Sequence, residues 1–387
     1  VLGIDGWTKG VHHFSRIFSH NSNFSFKLIH FGSYGDDKNR LKNEIISDIE
    51  INDIKYFNGK NIFQVIDIEK PNIIIFLSLD AFSHRAVNIY AKSKGIKTVH
   101  LFHGIQSIYN YNSPKPFGNS NIVKRVWQNK SHLLKGVIFF WPMYLKSLYL
   151  THSNFVDYKE FFKNLFTRIM GKMDIIAPKS SKADLAFVYI NADVEYAVKR
   201  YSYNKINVIP IGNPDIVEKL PKLNYFQKPI KNKKLVTYLD TSLFNYGYCF
   251  KNISDFQSHL LDLNTFLKKI NYQFSVKLHP MSEDSNLIKK IKSEGIKIVN
   301  NSELFKVLSE SNLVLVEPSS LVALPMILEL PIGLVKWGKV KSISDYGKLL
   351  ENYPRSYSIN CYQDIRDTLN TFNTVNNLSV WKNNSLG

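Results

Sequence analysis

The chain has 387 residues, 44% of them hydrophobic, which excludes a disordered chain and suits two domains of roughly 150–200 residues, each with its own core. Its 50 Lys and Arg against 32 Asp and Glu leave a net charge of +18, which favours an anionic partner: nucleic acid, an anionic membrane surface or a phosphate-bearing substrate. The two isolated cysteines, Cys249 and Cys361, make neither a disulfide framework nor a zinc site, so a reducing, cytoplasmic setting is expected.

The opening residues VLGID read as a strand running into the turn Asp5–Gly10, not as a charged-then-apolar leader. Val11, Phe14, Ile17 and Phe18 follow at helical spacing. A strand, a glycine turn and a helix N-terminus suit an anion or sugar site, and equally an ordinary tight turn. Further strands are expected at Phe26–Phe31, at Ile73–Leu77 running on to Asp80, and at Lys97–Phe102, which ends in His103-Gly104. A helix from His84 to Lys94 is closed by Gly95. Strands alternating with helices of about ten residues imply βαβ units and a parallel sheet.

Residues 133–173 break that rhythm with a basic, aromatic insertion. Phe155, Tyr158, Phe162, Leu165, Ile169 and Met173 fall at helical spacing, accompanied by Lys159, Lys163, Arg168 and Lys172. Such a stripe suits a helix in a membrane interface or one docked on its own domain. No run of eighteen apolar residues occurs, so no transmembrane helix is expected. The strands at ADLAFVY and INVIPIG complete an N-terminal domain over 1–215. The Lys-rich segment 216–234 reads as a linker, and 235–387 as a second domain with an asparagine-rich tail.

The second domain opens with the strand LVTYLDTS, whose tip carries Thr241 and Ser242. An amphipathic helix is expected over 255–270, and further helices over 343–351 and 362–372. Between them lie two apolar strands with polar tips: FSVKLHP ends in His279-Pro280, and LVLVEPSS ends in Glu317-Pro318-Ser319-Ser320. His279 at a strand end suits a hydrogen bond to phosphate, or a strand stopped by His-Pro. Ser319 and Ser320 at a helix start offer hydroxyls and N–H groups to an anion, or an ordinary N-cap. Glu317 suits ribose hydroxyls. In the first domain, His103 is the first candidate for a general base, with Asp5 as runner-up and Asp80 third. No Asp-x-Asp closes a hydrophobic strand, so a bridging metal is not expected.

The pairing of KLHP with EPSS resembles the bacterial GT-B glycosyltransferases, most closely those using CMP-sugars (sialic acid or Kdo) and the CDP-glycerol and CDP-ribitol phosphotransferases. The resemblance implies an α/β fold of two Rossmann-like parallel-sheet domains facing a cleft. It implies donor phosphate contacts from His279, Ser319 and Ser320; Glu317, Thr241 and Ser242, at neighbouring strand tips, are expected on the donor side with them. GIKTVHLFHG is similar to the polyol-phosphate transferase strand whose histidine-glycine holds a catalytic base, which points to His103. Gly10 of the first turn and Asp80 at a strand end are expected on the acceptor side. Pro325 stands where the retaining UDP-sugar enzymes carry a second glutamate. The expected activity is a metal-independent, inverting transfer from a nucleotide sugar to a capsule or lipopolysaccharide glycan, at the inner face of the membrane and without a cofactor. A CDP-polyol phosphotransferase, a UDP-sugar transferase and a non-enzymatic nucleic-acid-binding protein stand as alternatives. Nucleic acid is not the expected partner, because no zinc, RNP or helix-turn-helix signature accompanies the charge.

Overall fold

A computed structural model of the chain describes residues 1–5, 14, 23–34, 43–46, 48–102, 104–106, 134–169, 177–212, 234–242, 250, 252–317, 320–337, 348–371 and 378–385. The chain divides into two compact units, Val1–Gly104 with Phe117–Pro214, and Ile105–Pro116 with Asp215–Gly387.

The first unit is built on an eight-stranded sheet. Its strands are β1 (Leu2–Asp5), β2 (Lys27–His30), β3 (Asn43–Ile46), β4 (Ile49–Asp53), β5 (Ile73–Phe76), β6 (Lys97–Leu101), β7 (Leu185–Val188) and β8 (Val208–Pro210). They lie in the order β3-β4-β2-β1-β5-β6-β7-β8, parallel throughout except for the β3–β4 hairpin at the edge. Asp48, at φ 62°, makes the left-handed turn of that hairpin, a conformation that aspartate tolerates. The central strand Ile73-Ile74-Ile75-Phe76 is an unbroken apolar run because both its faces are buried, Ile74 and Phe76 in one apolar cluster and Ile75 in another.

Helix α1 (Ile62–Glu69) starts at a capping box: Asn61 Oδ1 accepts from the Phe63 and Gln64 N–H groups, and Gln64 Oε1 accepts from Asn61 N–H. Helix α2 (Phe82–Ser93) gives way to Gly95 at φ +72°. Its buried Asn88 donates to the Ser180 and Lys182 carbonyls, tying α2 to a segment some ninety residues on. A π-helical turn, Gly136–Phe140, leads into α3 (Trp141–Leu150), followed by α4 (Phe155–Ile169) and α5 (Ala192–Tyr201). Tyr144 of α3 and Phe161 of α4 stack at 5.0 Å and join the core formed by Ile4, Phe76, Val87 and their neighbours. The buried line of α4 therefore centres on Phe161. Tyr158 and Leu165 flank it, whereas Phe155 and Phe162, which sequence spacing groups with them, point outward.

The second unit holds a six-stranded, wholly parallel sheet: β9 (Leu235–Leu239), β10 (Gln273–Lys277), β11 (Lys297–Ile298), β12 (Leu313–Val316), β13 (Ile332–Val335) and β14 (Ser356–Ile359). Its order is β11-β10-β9-β12-β13-β14, so the chain works outward from β9 to one side and then restarts at β12 on the other. The helices are α6 (Ile253–Lys269), α7 (Ser285–Ser293), α8 (Leu304–Ser309), α9 (Ala323–Ile327), α10 (Lys348–Glu351), α11 (Tyr362–Asn370) and α12 (Leu378–Ser385). Phe256, Leu260, Leu263 and Leu267 recur along α6 and bury against Tyr238, Val276 and Trp337. Gly333 has no room for a side chain, because a Cβ there would meet Ile359 and Leu315 at 2.8 Å.

Candidate functional site

In the second unit the strand order reverses between β9 and β12. Loops at the carboxyl ends of two such strands diverge and leave a crevice, the usual ligand position in open α/β sheets. Leu239 pairs with both Val316 and Lys277, so the residues that follow these three leave the sheet side by side. They are Asp240, Glu317 and the Leu278-His279 pair.

Two buried carboxyls organise this rim. Asp240 accepts from His279 N–H at 2.9 Å on one oxygen and from Ser242 N–H at 2.6 Å on the other. Ser242 reaches that contact with φ 63°. Glu317, 1% exposed, accepts from Tyr238 Oη at 2.6 Å, and from Thr241 N–H at 2.8 Å and Thr241 Oγ1 at 2.7 Å. Burial pushes Glu317 up to about 7, and the neighbouring Asp240 charge adds to that rise. Burial also raises Asp240, opposed by the groups that hydrogen-bond it. Of the pair, Asp240 is the one that ionises, while Glu317 holds a proton close to neutrality. Lys277 lies buried at the same tip, its ammonium donating to the Leu278 carbonyl at 2.8 Å.

The rim is braced from behind. The Tyr238 ring stacks on Trp337 at 5.6 Å and 7°, and Trp337 packs on His259 at 4.1 Å. Burial in this aromatic box lowers His259 to about 4, so it is neutral, with Nδ1 at 3.1 Å from Tyr362 Oη.

Of the residues expected at the donor side, His279, Thr241, Ser242 and Glu317 are brought together at this rim. Ser320 begins the short turn Ser320–Val322 ahead of α9, and Ser319 lies outside the described residues. Both oxygens of Glu317 are taken up by its own unit, so its visible work is to hold the Thr241 loop. Asp240 and Tyr238 are the residues that sequence reading passed over, although the strand-end acid in LVTYLDTS was the signal for Asp240.

The first unit has a corresponding reversal between β1 and β5. Asp5, His30 and Asp53 stand in one register row across β1, β2 and β4, all buried. The Gly32 N–H donates to His30 Nδ1, and the Ser33 N–H to Asp53 Oδ2. His84, buried near the start of α2, has Nδ1 at 2.6 Å from the Ser78 carbonyl. Burial lowers its affinity for a proton, against the pull of Asp5 and Asp80. Asp80 accepts from Tyr201 Oη at 3.3 Å and faces Arg200 at 4.0 Å. Asp5 and Asp80 are thus gathered around His84, which the sequence did not single out. His103 and Gly10 lie outside the described residues. Among the described residues no cluster of three His, Cys, Asp or Glu is arranged to hold a metal ion.

Two α/β units with parallel-sheet cores, each with a strand-order reversal, match the GT-B class of fold. Comparison with solved structures agrees: the wall teichoic acid polymerase TagF superposes with a TM-score of 0.50 at 12% identity, over 96% of this chain and 79% of that one. S. aureus MnaA with UDP matches at TM-score 0.48 and 11% identity, over 95% and 86% of the two chains. The UDP-GlcNAc 2-epimerase of Methanocaldococcus jannaschii matches at 0.47 and 12%, over 95% and 91%. No protein-family model matches the chain, and no curated protein matches it in sequence. At 12% identity the TagF likeness speaks to the fold alone.

Proposed function

We propose that the chain is a nucleotide-dependent transferase of the GT-B type that moves a sugar from a nucleotide sugar, with CMP-sialic acid or CMP-Kdo favoured, to a capsule or lipopolysaccharide glycan. The observation that carries this reading is the rim of the second unit. There the Asp240 and Glu317 carboxyls fix the His279 and Thr241 loops at the reversal of a parallel sheet, the usual place for a nucleotide. The resemblance of KLHP and EPSS to GT-B transferases supports the same assignment.

In the proposed reaction an acceptor hydroxyl attacks the anomeric carbon, forming the new C–O bond. The bond from that carbon to the nucleotide phosphate breaks, and His103 takes the hydroxyl proton, with Asp5 as the runner-up base. The departing phosphate is received by His279, Ser319 and Ser320, which lower the barrier by meeting the charge that develops there. Asp80 and Gly10 belong to the acceptor side. A CMP-sugar carries one phosphate, so this step has no diphosphate for a metal to bridge, in line with the absence of an Asp-x-Asp strand end in the sequence.

A second reading has one observation in its favour, the fold likeness to a teichoic acid polymerase. In that case the acceptor hydroxyl attacks phosphorus of a CDP-polyol, and the pyrophosphate bond breaks with CMP leaving. Nucleotide release from CMP-sialic acid, CMP-Kdo, CDP-glycerol and UDP-GlcNAc, each offered with glycan acceptors, separates the two. Turnover with a CMP-sugar and a strong loss in His279→Ala are expected. Transfer from CDP-glycerol alone moves the assignment to the second reading, and UDP-GlcNAc alone to a UDP-sugar enzyme. Unchanged kinetics in His279→Ala sink the donor site.

A further inference from the structure

Helix α4 buries one face and leaves another uncovered. Phe155, Phe162 and Phe166 are 81%, 57% and 65% exposed. At 100° per residue they fall within about 40° of one another, a line about 16 Å long on the outer side of the helix. Lys159 and Lys163, both exposed, flank that line. The acids of α4 are turned elsewhere: Asp157 accepts from Asn154 N–H at the helix start, and Glu160 accepts from Lys179 N–H and Ser180 Oγ on the body of the unit. Helix α3 repeats the pattern, with Tyr149 and Leu150 exposed and Lys146 exposed beside them. Tyr149-Leu150 and Phe155-Val156 bracket the four-residue turn between the helices, so their exposed apolar groups form one corner. Lys146, Lys159 and Lys163 form no ion pair among the described residues.

We propose that this outer face of α3 and α4 docks on an anionic bilayer surface, with the three phenylalanines entering the headgroup–acyl boundary and the lysines meeting lipid phosphates. A helix with aromatic residues on one arc and cations at its edge has the make-up of an interfacial helix. Lysine stems lie along apolar surface while their charges reach the headgroups. A second copy of the chain fits less well, because a self-complementary pairing brings two unpaired lysine rows together. The inference rests on the surface of the first unit alone and is independent of the nucleotide reading.

The test is co-sedimentation of the full chain with vesicles of phosphatidylcholine containing about a third phosphatidylglycerol, against phosphatidylcholine alone. Binding to the anionic vesicles that weakens with salt is expected, with little on the neutral ones. The triple variant Phe155→Ser, Phe162→Ser, Phe166→Ser lowers partitioning more than about tenfold. Lys159→Glu with Lys163→Glu lowers it on the order of 25-fold or more, at about fivefold per lysine. Both variants keep the wild-type thermal midpoint, since these side chains are exposed. No binding to anionic vesicles, or binding that survives both variants, overturns the proposal. A wild-type dimer in sedimentation velocity that both variants abolish assigns the face to a second copy and overturns it as well.

Discussion

Burial beside Asp240 gives the Glu317 carboxyl a proton affinity near pH 7 against an ordinary value of 4.5, and the sign of its pH effect follows. The folded chain binds that proton more tightly than the unfolded chain. The stabilisation is therefore full below 4.5 and is lost as pH rises towards 7. Glu317→Gln keeps a neutral group of the same shape, with its amide oxygen free to turn towards Thr241. Denaturant melts at pH 5 and pH 8 should show Glu317→Gln losing less, or gaining more, stability over that interval than wild type, by roughly 1–3 kcal/mol. An equal change in both would remove Glu317 as the titrating group. Asp240→Asn places an amide NH2 where two N–H groups need acceptors, so it should cost about 1–3 kcal/mol and loosen the His279 loop. As a positioning residue, Asp240 should weaken nucleotide binding in that variant beyond the fall in a core control of equal stability loss. His279, Thr241 and Glu317 were legible in the sequence because each sits where an apolar run meets polar residues. The Glu317–Thr241 bond was not, because its partners are 76 residues apart and only the β9–β12 pairing makes them neighbours.

At the scale of elements, the parallel strands other than β4 and β14 read clearly because each is a short apolar run closed by a turn; Ser356–Ile359 is half polar and only partly buried, and was passed over. The β3–β4 hairpin was passed over too, and the reading went from Phe31 to Ile73 without an element. Asn43–Ile46 alternates between half-buried and exposed residues at the sheet edge, and Ile49–Asp53 is interrupted by Glu50 and Asn52. Helix α1 was hidden in the same interval, although Asn61 and Gln64 spell its cap. Asn61→Ala should cost about 1 kcal/mol in thermal or urea melts, and an unchanged midpoint would deny the cap a role. In the second unit, β13 lies between β12 and β14 with side chains from both closing over Gly333. Gly333→Ala overfills that contact and should destabilise by about 1–3 kcal/mol, whereas a neutral result would mean that the two strands part easily. The face of α4 was misjudged for a physical reason: the helix is apolar on two sides, and spacing alone does not say which side the core claims.

Across the whole molecule, two buried groups of the second unit act in opposite directions with pH. His259, lowered to about 4 from 6.5, contributes stability above 6.5 that is lost as pH falls through 4. Glu317 contributes stability that is lost as pH rises to about 7. Their windows overlap, so each flattens the other in wild type. Glu317→Gln should steepen the loss towards acid, and His259→Gln should reduce it; parallel curves for all three proteins would contradict the assignment. The two-unit α/β organisation was legible from the alternation of strands and helices, and the TagF comparison agrees with it. Among the described residues no helix is long and apolar enough to cross a membrane. In the proposed function, the second unit binds a nucleotide at the Asp240–Glu317 rim. The most direct measurement is thermal stability of the full chain with CMP, CDP, UDP and GDP, in wild type and in His279→Ala. At a hundred times its dissociation constant a ligand adds about 2.7 kcal/mol, which raises the midpoint by roughly 5 °C or more. Saturable stabilisation by a cytidine nucleotide, lost in His279→Ala, is the result expected. No shift with any of the four, with a salt-dependent shift on DNA or RNA instead, would contradict the account.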